Sequence, residues 1–139
     1  MYTLYKETNL TAAAEVITVQ QPAGGTGKRV ELIDATLYSA VAADFTLERD
    51  GTAASSTTLT PTPWRSGMPV ATAGGYSSSN VGTGTVLHKE TLTAGGRVVL
   101  DLVGYSMFDE GAGRNYSIRT NAVTGIVRIA LRFKETNIK

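Results

Sequence analysis

The sequence predicts an all-β protein, a two-sheet antiparallel sandwich that is jelly-roll-like and has about nine strands. The first observation is that apolar and polar residues alternate at period two in several stretches, whereas no stretch shows the period of a helix. The second is a composition with 15 glycines and only 7% aromatic residues, which is typical of many turns. The third is the length of 139 residues, which suits a single domain, residues 1–139, with one core.

The first predicted strands are TLYKET and EVITVQQ, and the turn PAGGTGK follows them. Its GGTGK stretch, Gly24–Lys28, invites comparison with a phosphate-binding loop. Such a loop needs a glycine where Pro22 stands, and a serine or threonine where Arg29 stands. The next residues have strand spacing, so no helix N-terminus would face a phosphate. We therefore interpret the stretch as a turn and predict no nucleotide.

Three antiparallel hairpins are predicted from short turns. The first joins RVELIDATLYSA to DFTLERDG, and a turn at Asp50 and Gly51 then leads to SSTTLTP. The second joins TVLHKETL to RVVLDLV through TAGG. We predict RVVLDLV as a central strand, because only Asp101 interrupts its apolar residues. The third spans residues 115–134, and its strand GIVRIALRFKE is predicted to face the core with Val127, Ile129, Leu131 and Phe133.

Two segments lack strand periodicity and are predicted as loops. The longer one, residues 61–85, is rich in Gly, Ser, Thr and Pro and contains the only tryptophan. Its large apolar side chains are Trp64, Met68 and Tyr76. Docking on a neighbouring molecule is favoured for them over capping the protein's own core or forming a ligand platform. In the shorter loop, residues 104–114, the aromatic side chains are expected to tuck under one end of the sandwich.

Few side chains suit catalysis. His88 lies in a predicted strand where alternation favours solvent or a cross-strand partner, so a structural or surface role is expected. Asp34 and Asp101 lie in otherwise apolar strands, and a buried carboxylate there would need a partner such as Arg97, Arg119 or Arg128. The other carboxylates weighed as an acid–base pair are Glu31, Asp109 and Glu110. Structural pairing or turn formation is the default for all five, and we predict no enzymatic activity, no metal and no cofactor.

Charge and hydropathy narrow the partners and the compartment. The formal net charge is +1 with scattered lysines and arginines, which predicts neither a nucleic-acid nor a membrane partner. No apolar run approaches the ~18 residues of a membrane span, and MYTLYKETN lacks the features of a signal peptide. There is no cysteine, so stability must come from packing or association. We expect synthesis in a cytoplasm.

Most of the chain from residue 28 onward resembles the small jelly-roll capsid decoration, or cement, proteins of tailed bacteriophages. The stretches that carry the resemblance are KRVELIDATLYSAVAADFTLERDGTAASSTTLTP, VLHKETLTAGGRVVLDL and NYSIRTNAVTGIVRIALRFKE. The resemblance implies a non-enzymatic protein of the virion capsid surface, made in the host cytoplasm. It would act as a dimer or trimer that binds between major-capsid subunits and stabilises the shell.

Two parts of the chain suit such contacts. Residues 1–12 are expected to form an N-terminal arm that adds a strand to a neighbour's sheet, and the loop with Trp64 would seat on that neighbour. The predicted partner-binding residues are Tyr2, Tyr5, Trp64, Met68 and Tyr76. The alternative is a carbohydrate- or receptor-binding jelly roll of a phage tail or fibre, with binding aromatics Trp64, Tyr76, Tyr105 and Phe108. An enzyme is the weakest of the three hypotheses.

Overall fold

A computed structural model describes residues 1–10, 16–20, 28–50, 57–71, 73–78, 84–105 and 114–137. These residues form eleven β-strands and no helix. In chain order the strands are β1 (Tyr2–Leu10), β2 (Val16–Gln20), β3 (Lys28–Ser39), β4 (Ala43–Arg49), β5 (Thr57–Thr58), β6 (Thr62–Pro63), β7 (Gly74–Ser78), β8 (Thr85–Leu92), β9 (Gly96–Asp101), β10 (Asn115–Thr120) and β11 (Gly125–Asn137).

The strands form two antiparallel sheets. The five-stranded sheet has the order β6-β1-β11-β3-β9, and the six-stranded sheet has the order β5-β7-β2-β10-β4-β8. When β5, β6 and β7 are set aside, the other eight strands pair first with last: β1 with β11, β2 with β10, β3 with β9 and β4 with β8. This nested pairing, folded over on itself, is the jelly roll, and the predicted fold class is confirmed.

The three predicted hairpins are wrong. In each of them the two strands lie in opposite sheets: β3 and β4, β8 and β9, and β10 and β11. The turn after β3 forms a backbone hydrogen bond with a strand other than β4: the Ala40 N–H donates to the Ile126 carbonyl of β11. The Gly95 N–H of TAGG likewise donates to the Ser39 carbonyl of β3. A turn sequence predicts that the chain reverses, but it does not indicate whether the returning strand stays in the same sheet.

The predicted central position of RVVLDLV is also wrong, because β9 is the edge strand of the five-stranded sheet. Val98 and Leu100 pack against the core, while Val99 on the other face is 60% exposed. The apolar run therefore reflects one buried face and one exposed valine, which periodicity alone does not distinguish from a strand buried on both faces.

The segment 61–85, predicted as a loop, contains the short strand β6 and the five-residue strand β7. β7 pairs with β2 inside the six-stranded sheet. It lacks an apolar alternation because its inward side has little space. A Cβ atom on Gly75 would lie 2.4 Å from the Leu59 carbonyl oxygen and 2.5 Å from Leu4 Cδ2, so only glycine fits there.

The N-terminal arm predicted for residues 1–12 is not observed in the described part of that segment, which is a strand of the protein's own sheet. β1 pairs with β11 along its whole length, from Tyr2 opposite Phe133 to Leu10 opposite Gly125. Its inward residues alternate with outward ones, and Leu4 is fully buried. Burial of this face stabilises β1 in the parent sheet, because each buried Leu contributes about 1.5–3 kcal/mol.

The core lies between the two sheets. Its largest buried side chains include Phe45, Phe133, Leu4 and Ile118. The predicted core face of β11 is confirmed, because Val127, Ile129, Leu131 and Phe133 are all at most 1% exposed. Tyr2 stacks on Phe133 with ring centroids 5.5 Å apart. Any binding site must therefore lie outside this core, on an outer face of a sheet or at an end of the sandwich.

Candidate functional site

The outer face of the five-stranded sheet carries three cross-strand rows of side chains, one residue from each of β1, β11, β3 and β9. Their register follows from the antiparallel pairing of these four strands. The first row is Thr3, Arg132, Asp34 and Asp101; the second is Tyr5, Ala130, Thr36 and Val99; the third is Glu7, Arg128, Tyr38 and Arg97.

The middle row produces a groove, because Ala130 and Thr36 are short while the arginines on either side are long. The groove has a volume of about 540 Å³. We call it the arginine groove; its lining residues are Tyr5, Thr36, Tyr38, Gly95, Arg97, Val99, Arg128, Ala130 and Arg132. Tyr5, at the β1 end, is 50% exposed. The groove is therefore an accessible concavity in a rigid sheet.

One wall of the arginine groove is organised around Arg128. Its Nε donates to Glu7 Oε2 at 2.6 Å, and its guanidinium lies 4.8 Å from the Tyr38 ring centroid. The Tyr5 hydroxyl donates to the same Glu7 oxygen at 3.2 Å. The hydrogen bond from Arg128, and then the one from Tyr5, lower the pKa of Glu7. Desolvation, and then the Glu7 carboxylate, raise the pKa of Tyr5.

The opposite wall is organised around Arg132, which binds both carboxylate oxygens of Asp34 through Nε and Nη2. Its guanidinium also lies 5.1 Å from the Trp64 ring centroid. Asp34 thus has an arginine partner as expected, and the partner is Arg132 rather than one of the three arginines given as examples from the sequence. The bidentate geometry fixes the guanidinium plane, so this wall is preorganised.

A second surface lies at the end of the sandwich around Met1. One depression of about 370 Å³ is lined by Met1, Trp64, Arg65 and Met68. A second, of about 340 Å³, is lined by Met1, Glu31, Leu32, Ile33, Val103, Gly104, Tyr105 and Lys134. We call the two depressions together the Met1 end. Trp64 is 48% exposed, and its Nε1 donates to Thr3 Oγ1 at 2.7 Å. A large aromatic side chain is thus held in one orientation while half of it faces solvent.

The five predicted partner-binding residues occupy different places. Trp64 and Met68 lie together at the Met1 end. Tyr5 lies in the arginine groove, beyond the Arg132 wall. Tyr76 is half-buried on β7 of the six-stranded sheet.

Tyr2 is a core residue. Its hydroxyl donates to the Pro69 carbonyl at 3.1 Å, and burial, followed by Glu135, raises its pKa. Its side chain therefore anchors the segment after β6 to the core and presents little surface to a partner.

Sequence reasoning missed the groove residues Tyr38 and Arg132 as site residues, and it considered Arg97 and Arg128 only as ion-pair partners. All four occupy outward positions of alternating strands, and that alternation was visible in the sequence. What joins them is the pairing of β3 with β11 and with β9, strands that are far apart in the chain. Local periodicity assigns a face to a residue, whereas only the register assigns its neighbours.

The candidate acid–base residues are dispersed. His88 is exposed, and its Nε2 lies 3.0 Å from Glu90 Oε2, which confirms the expected surface position. Glu31 pairs with Arg29 at 3.2 Å and Lys134 at 3.5 Å. Asp101 is exposed and accepts the Val103 N–H at 3.0 Å, so it needs no arginine.

Asp109, Glu110 and Phe108 lie outside the described residues, as does the GGTGK stretch before Lys28. Within the described ranges, no group of three or more histidine, aspartate or glutamate side chains is arranged to hold a metal ion.

No protein-family model and no curated protein matches this chain. In the part of the chain that the structure describes, no helix is long and apolar enough to cross a membrane. Two surfaces of the jelly roll, the arginine groove and the Met1 end, are therefore the candidate functional sites.

Proposed function

We propose that this protein is a non-enzymatic structural protein of a phage virion, which decorates the capsid by binding between major-capsid subunits through its Met1 end. The observation that carries the proposal is the half-exposed Trp64 beside the exposed Met1 and the partly buried Met68, on one end of a jelly roll. Trp, Met and Arg are enriched in protein interfaces, and Trp is among the residues that contribute most binding energy. The sequence resemblance to decoration proteins supports the same partner.

Trp64 is preorganised for binding. The hydrogen bond to Thr3 and the guanidinium of Arg132 hold the indole in place before any partner arrives. The backbone N–H of Trp64 also donates to the Met1 carbonyl at 3.1 Å, which connects the start of the chain to the segment after β6. Because the side chain is already ordered, docking avoids about 0.5–1.5 kcal/mol of side-chain ordering.

Decoration needs only a modest interface at each site. A protein that binds the assembled shell, and not its unfolded subunits, stabilises that shell through mass action. The shell repeats the same site many times, and a dimeric or trimeric decoration protein would engage several subunits together. We propose a dimer or trimer because the resemblance to decoration proteins implies one. Light scattering over a wide dilution series measures it, and a dimer or trimer that survives dilution is the expected result.

The test of the Met1 end is Trp64→Ala in a co-sedimentation assay with undecorated heads of the cognate capsid protein. We expect at least about a tenfold loss of head affinity, as for a buried interface tryptophan. The thermal unfolding of the protomer should change little, since half of the indole is already in solvent. The matched control is Val86→Ala, which removes an exposed apolar side chain on β8. Unchanged head binding by Trp64→Ala would refute this docking surface.

A second function, a carbohydrate- or receptor-binding module of a tail or fibre, is favoured by the arginine groove. The four aromatic residues predicted for it do not form one platform. Trp64 lies over the five-stranded sheet, whereas Tyr76 lies in the six-stranded one. The groove instead offers Tyr5 and Tyr38 beside three arginines. The chemistry of the side chains that line the arginine groove indicates one specific class of ligand.

A further inference from the structure

One arginine of the arginine groove, Arg97, has no carboxylate partner among the described residues. The described residues that line it include three arginines and no carboxylate. Arg128 and Arg132 are neutralised by Glu7 and Asp34, which flank the groove. Within the described ranges, Arg97 forms no ion pair. Arg97 therefore presents a positive charge without a carboxylate partner at the β9 end of the groove, while the exposed Asp101 carboxylate lies in the row of the Arg132 wall.

The dimensions of the groove suit a short saccharide. Its two walls are four residues apart along each strand, which is about 13 Å, and the four strands span about 14 Å. The floor between the walls consists of Ala130 and Thr36, and the volume is about 540 Å³. A disaccharide fits into such a space, whereas a duplex nucleic acid would contact only the rim.

The lining also matches the chemistry of a sugar. A pyranose ring has an apolar face that stacks on an aromatic side chain, and Tyr5 offers a half-exposed ring at the β1 end. Its hydroxyl groups need fixed polar partners. The guanidinium groups of Arg128 and Arg132 are held by their carboxylates, so they offer donors in set directions at no further ordering cost.

We propose that the arginine groove binds an acidic saccharide, with the sugar ring on Tyr5 above Ala130 and the carboxylate of the sugar on Arg97. Because Arg97 is the one arginine of the groove without a carboxylate partner, we favour a singly charged sugar over a polyanion. Nucleic-acid affinity, by contrast, depends on several phosphate contacts. This site does not depend on the proposed capsid function, since its lining lies beyond the Arg132 wall from the Met1 end.

The experiment is a calorimetric or NMR titration of the full chain with two matched pairs of sugars. The first pair is digalacturonic acid and its neutral counterpart galactobiose, and the second is sialyllactose and lactose. We expect at least one acidic sugar to bind, and to bind about tenfold more tightly than its neutral partner, as for one charge-assisted hydrogen bond.

Two variants locate the site. Arg97→Gln should lower the affinity for the acidic sugar about tenfold and remove the preference over the neutral one. Ala130→Leu should abolish binding of both, because the larger side chain fills the floor of the groove. Val86→Leu on β8, which enlarges an exposed side chain outside the groove, should bind as the unmodified protein does.

Three outcomes would overturn the proposal. Neither acidic sugar binds at millimolar concentration, or the acidic and neutral sugars bind equally well, or binding survives Ala130→Leu. A separate titration with single-stranded DNA at two salt concentrations covers the competing ligand class. DNA binding that is stronger than sugar binding and falls steeply with salt would assign the groove to polyanions instead. Absence of sugar binding by the unmodified protein, together with intact head binding, would refute this site alone.

Discussion

The outer faces of the two sheets differ in what their side chains are and in how far water reaches them. On the five-stranded sheet the residues that wall the arginine groove are long and charged, and Tyr5 beside them is 50% exposed. On the six-stranded sheet three central ones are short and buried, Val16 at 0%, Thr18 at 3% and Ser117 at 6%, and the longer Glu48 side chain among them is also buried. A jelly roll needs only the inner faces for its core. The exposed outer face of the five-stranded sheet is thus open to a ligand, whereas the central outer face of the six-stranded sheet contributes to stability.

One pair of interactions shows the difference with the same chemistry. Arg128 Nε donates to Glu7 Oε2 at 2.6 Å on the five-stranded sheet, where the side chains are 46% and 45% exposed. Arg119 Nε donates to Glu48 Oε2 at 2.9 Å on the six-stranded sheet, where they are 24% and 2% exposed. Glu48 also accepts the Thr46 hydroxyl at 2.7 Å and the Gly84 N–H at 3.0 Å. The first pair arranges a surface, and the second satisfies a buried charge.

The largest expected effect comes from breaking the buried pair. Glu48→Ala should lower the free energy of unfolding by about 3 kcal/mol, because it removes a buried carboxylate that accepts from Arg119 Nε, the Thr46 hydroxyl and the Gly84 N–H. Glu7→Ala should leave the urea midpoint nearly unchanged, since water replaces the lost contact. Urea unfolding of the two variants measures the contrast. Equal destabilisation by both would mean that exposure does not set the strength of these pairs.

A moderate effect is expected from the buried hydroxyl pair on the six-stranded sheet. Thr18 Oγ1 and Ser117 Oγ share a hydrogen bond of 2.8 Å. Thr18→Val should cost about 1–2 kcal/mol, because the Ser117 hydroxyl loses that partner in a buried environment. Thr18→Val combined with Ser117→Ala should cost less than the sum of the single changes. Thr36→Val, the same substitution in the arginine groove, is the control and should have little effect on unfolding. Strict additivity of the double variant would contradict a shared hydrogen bond.

The smallest expected effect is the pH dependence of the exposed pair. The pKa of Glu7 is lowered from its ordinary value of 4.5, first by the Arg128 hydrogen bond. A lowered carboxyl pKa adds stability that is fully present above the unfolded value and is lost as the pH falls through the folded value. The thermal midpoints of the unmodified protein and Glu7→Gln should therefore differ slightly at neutral pH and converge in strong acid. Salt should reduce the neutral-pH difference. A difference in thermal midpoint that persists in acid would mean that it arises from packing and not from the charge of Glu7.

Much of the fold was accessible from the sequence because alternation is a local signal. All nine predicted strands exist, and the predicted core face of β11 is buried. β7 was missed because glycine occupies its tight inward position at Gly75 and leaves no apolar alternation. The hairpins were wrong because the turns after β3 and β8 bond to strands distant in the chain. Of the surfaces, the exposed Trp64 was anticipated, whereas the arginine groove was not.

The sequence by itself determined most of the strands and, in β11, which face meets the core. Side chains in a strand alternate with period two, so the local sequence indicates which face of the strand is buried. Only the tertiary structure decided which strands are neighbours. It brought Arg128 of β11 between Glu7 of β1 and Tyr38 of β3, and it buried the Glu48–Arg119 pair. Those neighbours depend on long-range pairing across two sheets, whose energy is a sum over contacts between distant segments and has no local pattern.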